Sequence, residues 1–236
     1  MRTAFITGTK LFIKMKQFAS ILAILLCFLS CDSSDQKKET STIASQDNAP
    51  AVATKKNIVF FGNSLTAGYG LDPQEAFPAL IQKKIDSLNL SYTVVNAGVS
   101  GETSSGGNSR VDWILRQGVD VFVLELGAND GLRGIPIAET KRNLQAIIDK
   151  VKTKFPLAKI VLAGMQIPPN MGQAYGDAFK NIYPQLAKEN NASLVPFLLE
   201  GVGGDTTLNQ EDGIHPTAEG HLVLANNTWK VLASVL

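Results

Sequence analysis

Short apolar runs and longer amphipathic stretches alternate along the chain from Asn57 to the C-terminus. The short runs are almost continuously apolar and rich in β-branched residues, which is typical of strands that are buried on both faces. The longer stretches repeat their apolar residues at helical spacing, as Ile147, Ile148 and Val151 do within the stretch 138–155. The pattern therefore predicts alternating strands and helices over residues 57–236.

Five strands and five helices are predicted. The strands are Asn57–Phe61, Tyr92–Val95, Val121–Leu126, Ile160–Gly164 and Ser193–Pro196. The helices are Asp72–Leu88, Gly107–Gln117, Ile137–Phe155, Asn170–Asn190 and Thr217–Val235. Because strands and helices alternate, the expected fold class is α/β, a three-layer α/β/α sandwich with a five-stranded parallel sheet and right-handed crossovers. Residues that carry chemistry should then follow the strands directly, since ligands bind beyond the carboxyl ends of parallel strands.

The first thirty residues differ from the rest of the chain. They contain four basic residues, no acidic one, and an uncharged run of twelve residues from Phe18 to Leu29. A basic start, a short apolar stretch and a small residue before the cleavage site predict a secretory signal peptide over residues 1–30. The twelve-residue run is shorter than the roughly 20 residues that a helix needs to cross a bilayer.

Cys31 follows this segment directly. Residues 28–31, Phe-Leu-Ser-Cys, resemble the lipobox of bacterial lipoproteins, in which the cysteine is diacylated and becomes the new N-terminus. The alternative is an ordinary signal peptide with an incidental cysteine, but the small residue before Cys31 and the polar segment after it favour lipidation. Residues 31–56 are polar without apolar periodicity, so they are interpreted as a lipidated flexible tether. We expect an exported bacterial lipoprotein, attached to a periplasmic or cell-envelope membrane through this anchor alone.

Charge and cysteine content argue against several functions. The chain has 22 basic and 21 acidic residues, so loss of the four basic residues in 1–30 would leave a formal net charge of −3. Such a surface gives no reason to expect nucleic-acid binding. Both cysteines, Cys27 and Cys31, precede the domain predicted over 57–236, which leaves it without disulfides or cysteine-based zinc sites. No cofactor and no metal are expected, and the domain is expected to be a monomer.

Ser64 follows the first predicted strand and has Gly62 and Gly68 nearby. A hydroxyl in such a strand-to-helix turn is exposed at a helix N-terminus, where backbone N–H groups stabilise negative charge. The segment differs from the G-x-S-x-G nucleophile elbow because Thr66 stands at the position of its second glycine. Taken alone, Ser64 is better explained as a helix cap than as a nucleophile.

The two histidines provide a stronger argument. A serine hydrolase needs a base that titrates near neutral pH, and imidazole has a pKa of about 6.5. His215 precedes the last predicted helix and follows Asp212 by three residues, whereas His221 lies inside that helix and is expected to be structural. Asp212 can orient one ring nitrogen of His215 while the other takes the proton of Ser64. Glycine-rich and Asn-containing turns also follow the second and third strands, although the Asn-Asp pair at 129–130 is equally consistent with a turn and helix cap.

Four blocks of the sequence resemble those of the SGNH (GDSL) hydrolases in order and separation. They are Gly-Asn-Ser-Leu at 62–65, Gly101, Gly-Ala-Asn-Asp at 127–130 and Asp-Gly-Ile-His-Pro at 212–216. The finer match is to the bacterial thioesterase I, lysophospholipase and arylesterase branch, through residues 64–69, 125–134, 165–168 and 212–216. The resemblance extends from about residue 57 to the C-terminus and implies the flavodoxin-like SGNH hydrolase fold.

The resemblance implies a role for each matched residue. Ser64 would attack the acyl carbon, His215 would act as general base and then general acid, and Asp212 would orient His215. The oxyanion hole would consist of the backbone N–H groups of Ser64 and Gly101 with the side-chain amide of Asn129. The substrate-binding residues would be Gly127, Leu132, Ile167 and Pro168.

One position departs from the family pattern. The family's Gly-Asp-Ser is Gly-Asn-Ser at residues 62–64 of this chain. The Asp at that place is not a triad member, so Asn63 is expected to be a structural replacement that keeps an acceptor and adds a donor.

The expected activity is that of a serine esterase on small acyl esters such as lysophospholipids, aryl esters or acyl thioesters. A carbohydrate O-acetylesterase of the same fold is the first alternative, disfavoured because residues 130–135 resemble a loop that lines an acyl groove in the acyl-ester branch. A non-catalytic lipid-anchored binding module is disfavoured because all the expected site residues are present together. A flavodoxin-like cofactor protein would need a phosphate-binding glycine motif after the first strand, which FGNSLTAG lacks.

Overall fold

The computed structural model describes residues 55–236, so the predicted signal peptide, Cys31 and nearly all of the predicted tether lie outside the described residues. The boundaries expected after residues 30 and 56 therefore stay predictions. The strands are β1 (Lys56–Gly62), β2 (Tyr92–Gly98), β3 (Val121–Glu125), β4 (Lys159–Ala163) and β5 (Ser193–Val195). The helices are α1 (Ser64–Ala67), α2 (Phe77–Ser87), α3 (Ser104–Ile114), α4 (Ala128–Leu132), α5 (Ile137–Lys154), α6 (Gln173–Lys180), α7 (Ile182–Asn190) and α8 (Ala218–Leu232), with a short 3-10 helix at Pro169–Met171.

The five strands lie parallel in one sheet of order β2-β1-β3-β4-β5. Adjacent residues of β1 show how helices cover both faces, since successive side chains of a strand point to opposite faces. Phe60 contacts Phe77 of α2, with ring centroids 5.4 Å apart, whereas Phe61 lies against Gly107 of α3. Helices α2 and α8 pack together on one face, and α3, α5 and α7 on the other. The predicted three-layer α/β/α sandwich with a five-stranded parallel sheet is confirmed.

The single helix predicted over 170–190 is wrong. The chain forms two helices there, α6 and α7, which separate at Asn181. Pro184 is the third residue of α7, where the missing N–H would have no intrahelical partner in any case. In one continuous helix its ring would clash with the carbonyl of Lys180, so the proline forces a new start.

Helix α2 begins at Phe77, later than the predicted start at Asp72. The Asp72 side chain accepts a hydrogen bond from the backbone N–H of Gln74 at 2.8 Å and so closes a turn before the helix. Pro78 is the second residue of α2, and in a longer helix its ring would clash with the carbonyl of Gln74. The prediction followed the apolar periodicity and did not take the proline into account.

Capping threonines set the starts of α3 and α8. Thr103 accepts a hydrogen bond from the N–H of Gly106 at 3.2 Å, so α3 begins before the predicted start at Gly107. Thr217 caps α8 in the same way by accepting from Gly220 at 3.2 Å. Both helices end three residues before their predicted ends. The pattern also missed α1 and α4, which are too short to show helical periodicity. Among residues 55–236, no helix is both long and apolar enough to cross a membrane.

His221 joins the two helices of one layer. It lies in α8 with 1% of its surface exposed, and its Nδ1 accepts a hydrogen bond from the backbone N–H of Phe77 at 3.0 Å. Burial lowers the pKa of His221 to about 4, with repulsion from His215 as a smaller cause. The ring is therefore neutral at physiological pH and acts as an acceptor at the start of α2.

The burial of His221 as a neutral ring predicts that the protein loses stability in acid. Between pH 6.5 and pH 4 the unfolded chain binds a proton at His221 that the folded chain does not, so the unfolding free energy falls as the pH drops, by about 3 kcal/mol. We expect His221→Asn to remove this contribution, because asparagine Oδ1 can replace Nδ1 as acceptor without titrating. Denaturant unfolding of both proteins at pH 7 and pH 4 measures the difference. Equal losses of stability in the two proteins would contradict the prediction.

Candidate active site

Ser64, His215 and Asp212 form a hydrogen-bonded chain at the carboxyl edge of the sheet. Ser64 is the first residue of α1, directly after β1, and the other two lie in the loop between β5 and α8. The Nε2 atom of His215 is 2.9 Å from Ser64 Oγ, and its Nδ1 atom is 2.6 Å from Asp212 Oδ2. With Nδ1 donating to Asp212, Nε2 is free to accept the Ser64 proton. The arrangement can therefore convert the hydroxyl into a nucleophile.

Asp212 also holds the backbone of the loop that carries His215. Its Oδ1 accepts hydrogen bonds from the N–H groups of Ile214 and His215, each at 2.9 Å. Gly213 has a φ of +67°, a left-handed conformation that glycine adopts without strain. The bond from the His215 side chain, followed by these backbone bonds, lowers the pKa of Asp212 to about 2. Asp212 is accordingly ionised wherever the imidazole can act as a base.

Gln210 connects the loop of His215 to the loop that follows Ser64. Its backbone N–H donates to the carbonyl of His215 at 2.7 Å. Its side-chain amide donates to the carbonyls of Tyr69 at 2.8 Å and Pro216 at 2.9 Å. The Tyr69 ring in turn packs on His215, with centroids 4.5 Å apart. Sequence reasoning missed Gln210, because a single glutamine in a polar loop carries no distinguishing signal.

The cap of α1 is Asn63 and not Ser64, so the interpretation of Ser64 as a helix cap is wrong. Asn63 Oδ1 accepts a hydrogen bond from the N–H of Leu65 at 3.0 Å. Ser64 is thus the first helical residue, and its hydroxyl is left to contact His215. Gly68 ends α1 after one turn with a φ of +76°.

Gly101 and Asn129, expected in the oxyanion hole, lie after β2 and β3 respectively. Gly101 has a φ of +78°, and no heavy atom lies within 4 Å of the position that a Cβ would take, so this turn faces open space. The Asn129 amide nitrogen donates to the carbonyl of Glu102 at 3.0 Å and makes no other hydrogen bond to a described residue. Buried Asp130 accepts a hydrogen bond from the N–H of Ser104 at 2.8 Å and ties α4 to the start of α3. These hydrogen bonds tie the segment after β3 to the segment after β2, the two strands that flank β1.

The residues expected to bind substrate lie after β3 and β4. Gly127 precedes α4 with a φ of +111°, and a Cβ there would lie 2.5 Å from the Tyr183 hydroxyl oxygen. Leu132 is 39% exposed at the end of α4. Ile167 packs against α4, and with Pro168 it lines a cavity of about 410 Å³. Ser64 and His215 are not among the residues that line that cavity.

Glu125 is a buried charged residue that sequence reasoning missed. It ends β3 with none of its surface exposed, and it accepts hydrogen bonds from the backbone N–H of Asn63 at 3.0 Å, its side-chain amide at 2.7 Å and the Thr66 hydroxyl at 2.7 Å. Burial raises the pKa of Glu125 to about 7, and these hydrogen bonds limit the rise. The sequence did contain a signal for Glu125, since it is the one acidic residue at the end of an otherwise apolar strand.

Within the part of the chain that the structure describes, no group of three or more histidine, cysteine, aspartate or glutamate side chains is arranged to hold a metal ion.

Known proteins share the sequence and the fold of this chain. The sequence profile of the GDSL-like lipase/acylhydrolase family matches residues 60–223. The chain is 40% identical to esterase TesA of Pseudomonas aeruginosa over 185 residues, which cover 78% of this chain and 91% of TesA. It is 39% identical to thioesterase 1/protease 1/lysophospholipase L1 of Escherichia coli K12 over 175 residues, which cover 74% of this chain and 82% of that protein. The crystal structure of the psychrotrophic esterase EstA from Pseudoalteromonas sp., inhibited by monoethylphosphonate, superposes with a TM-score of 0.72 and 32% identity over 76% of this chain and 98% of EstA.

Proposed function

The chain belongs to the GDSL-like lipase/acylhydrolase family, whose members hydrolyse esters, and from this premise we propose that it is a serine esterase that works through Ser64, His215 and Asp212. The observation that carries the proposal is the 2.9 Å contact between Ser64 Oγ and His215 Nε2, with Asp212 on the other ring nitrogen. This contact joins a general base to a hydroxyl that is a weak nucleophile by itself, as covalent acyl transfer requires.

The reaction has two halves. Ser64 Oγ attacks the acyl carbon while its proton passes to His215 Nε2, and the tetrahedral intermediate expels the alcohol or thiol as His215 returns that proton to it. A water then attacks the acyl-enzyme, gives its proton to His215 and releases the carboxylic acid, and the proton returns to Ser64. Ionised Asp212 stabilises the imidazolium in both halves.

The oxyanion hole is proposed to consist of the N–H groups of Ser64 and Gly101 and the amide of Asn129. The open face of the Gly101 turn and the second N–H of the Asn129 amide support this assignment. Three such donors would stabilise the negative charge that develops on the carbonyl oxygen.

An apolar acyl chain is the proposed specificity element of the substrate. Four of the eight large apolar side chains exposed on the described residues belong to segments that carry site residues, namely Tyr69, Val99, Leu132 and Ile214. Exposed apolar side chains around a polar site favour an amphiphilic ester, such as a lysophospholipid or an aryl or acyl ester, over an acetylated sugar. Gly127, Ile167 and Pro168 are proposed to contact the substrate in addition to these four exposed side chains.

Export and lipid anchoring at Cys31 are further parts of the proposal. The described chain enters β1 at Lys56, at the amino edge of the sheet, whereas Ser64 follows the carboxyl end of the same strand. Membrane contact through this anchor alone and a monomeric domain are proposed with it. A mass spectrum of the protein purified from membranes tests the anchor, which would be rejected if Cys31 were present without acyl groups.

The test of function is an ester series of p-nitrophenyl acetate, butyrate, octanoate and palmitate. We expect turnover with a higher kcat/KM for butyrate or octanoate than for acetate, because the surrounding apolar side chains would bind the longer chains. Activity confined to acetate would instead support a carbohydrate O-acetylesterase. A well-folded protein that hydrolyses none of the esters would contradict the proposal and favour a binding module.

A further inference from the structure

Glu125 lies beneath Ser64 but has no place in the proton path described above. Its hydrogen-bond donors are all neutral, two from Asn63 and one from Thr66. Among residues 55–236, no lysine, arginine or histidine forms an ion pair with Glu125. A buried carboxylate without a cation costs stability unless its hydrogen bonds offset the loss of hydration. A group retained at this cost next to the nucleophile calls for an explanation beyond packing.

The two ends of the Asn63 amide face different partners. Its nitrogen donates to Glu125 Oε1 at 2.7 Å. Its oxygen accepts from the N–H of Leu65 at 3.0 Å and lies 3.5 Å from Ser64 Oγ. The Ser64 hydroxyl is therefore between two acceptors, this oxygen and His215 Nε2. If the amide were turned over, its nitrogen would face the Leu65 N–H and the serine oxygen, and two donors would oppose each other.

We propose that Glu125 is a positioning residue, whose carboxylate fixes the orientation of the Asn63 amide and thereby the turn that presents Ser64 to His215. The inference rests on the proposed function, since it concerns the same serine. Both carboxylate oxygens only accept hydrogen bonds, so Glu125 selects the amide orientation in which nitrogen faces inward and oxygen faces α1. Asn63 and Glu125 thus form a matched amide–carboxylate pair.

Close packing of the backbone around the carboxylate supports this role. A Cβ at Gly62 would lie 2.4 Å from Glu125 Oε2 and 2.1 Å from Thr66 Oγ1, so only glycine permits the approach. The end of β1, the cap of α1 and its first turn all contact one carboxylate. A shift of this group would therefore move Ser64 Oγ relative to His215.

Exchange of the amide and the carboxylate between positions 63 and 125 distinguishes the proposed positioning role from a role in burial alone. In Glu125→Gln, the new amide brings a donor against the Asn63 nitrogen, and the conflict is relieved only if the Asn63 amide turns over. In Asn63→Asp, the two carboxyl groups share a proton, and a protonated Glu125 donates to the introduced carboxylate, so the hydrogen bonds of the pair stay complete. In the double variant N63D/E125Q, the amide nitrogen of the introduced glutamine can donate to the introduced carboxylate. The amide oxygen of that glutamine still accepts from the backbone N–H of residue 63 and from Thr66.

The experiment measures kcat and KM on p-nitrophenyl butyrate at pH 8 for the wild type, both single variants and the double variant. We expect Glu125→Gln to lose about 10- to 100-fold in kcat with KM changed less than about threefold, since displaced reacting groups affect the chemical step more than binding. Asn63→Asp, which introduces the aspartate of the family's Gly-Asp-Ser pattern, should stay within about threefold of the wild-type kcat. The double variant should return to within about threefold of the wild-type kcat, because all donors are again satisfied. Asn190→Ala, which removes a buried amide pair with Gln145 remote from the site, is the control and should lower the melting temperature without changing kcat.

The outcomes distinguish the two proposals. Wild-type turnover that Glu125→Gln leaves unchanged would overturn the positioning role and leave the esterase proposal intact. A double variant whose kcat stays more than about tenfold below that of the wild type would overturn it as well, because complete hydrogen bonds would then not restore the position of Ser64. If Glu125→Gln fails to fold, the double variant, whose hydrogen bonds are complete, still decides the question. Absence of wild-type turnover would reject both proposals.

Discussion

Replacement of Ser64 by alanine is expected to lower kcat by about 10⁵-fold, the scale at which Ser-His-Asp hydrolases lose activity without their nucleophile. The contact from His215 Nε2 to Ser64 Oγ is the only hydrogen bond by which the described residues place a base on this hydroxyl. Without the oxygen no acyl-enzyme forms, and the remaining rate comes from water in the same pocket. The measurement is kcat on p-nitrophenyl butyrate, together with circular dichroism and a melting curve to verify the fold.

Ser105→Ala is the matched control. Ser105 lies exposed on α3 and its side chain makes no hydrogen bond to the described residues, so its loss should leave kcat unchanged. A fluorophosphonate that attaches covalently to active serines should label the wild type and Ser105→Ala but not Ser64→Ala. Full activity in Ser64→Ala would overturn the proposed mechanism, whatever the labelling result.

The sheet could be predicted from the sequence because its central strands, β1, β3 and β4, are buried on both faces and therefore almost continuously apolar. Strand β3 is a clear case, with every residue buried from Val121 to Glu125. The helix boundaries were less predictable, since apolar periodicity continues through residues such as Pro78 and Pro184 at which the backbone cannot remain helical. Helices of one turn, such as α1, carry too few residues for any period to appear.

The site residues could be proposed because chemistry in parallel sheets collects after the strands, and because histidine is rare in this chain. The residues that hold these site residues in place could not be predicted in the same way. Gln210 and Glu125 act through partners more than fifty residues away, and such contacts leave no trace in local spacing. Asn63 was expected to keep an acceptor and add a donor, and the structure supplies a partner for each, Leu65 for the oxygen and Glu125 for the nitrogen.

Asp212→Asn is expected to lower kcat by about 10⁴-fold with little change in stability, because the substitution reverses the proton arrangement on His215. Asp212 now accepts from Nδ1 at 2.6 Å, which leaves Nε2 unprotonated and able to take the Ser64 proton. An asparagine amide that donates to Nδ1 would favour the opposite tautomer, with hydrogen on Nε2 and no base facing the serine.

Asp205→Asn provides the comparison for Asp212→Asn. Asp205 is also exposed and also accepts a hydrogen bond from a backbone N–H two residues later, that of Thr207 at 2.8 Å, but it does not contact a histidine. We expect Asp205→Asn to retain the wild-type kcat, so that a loss specific to Asp212→Asn reports the tautomer and not the loop. Equal kcat values in the two variants would mean that His215 is oriented by Gln210 and Tyr69 alone, and the carboxylate would then have no part in the reaction.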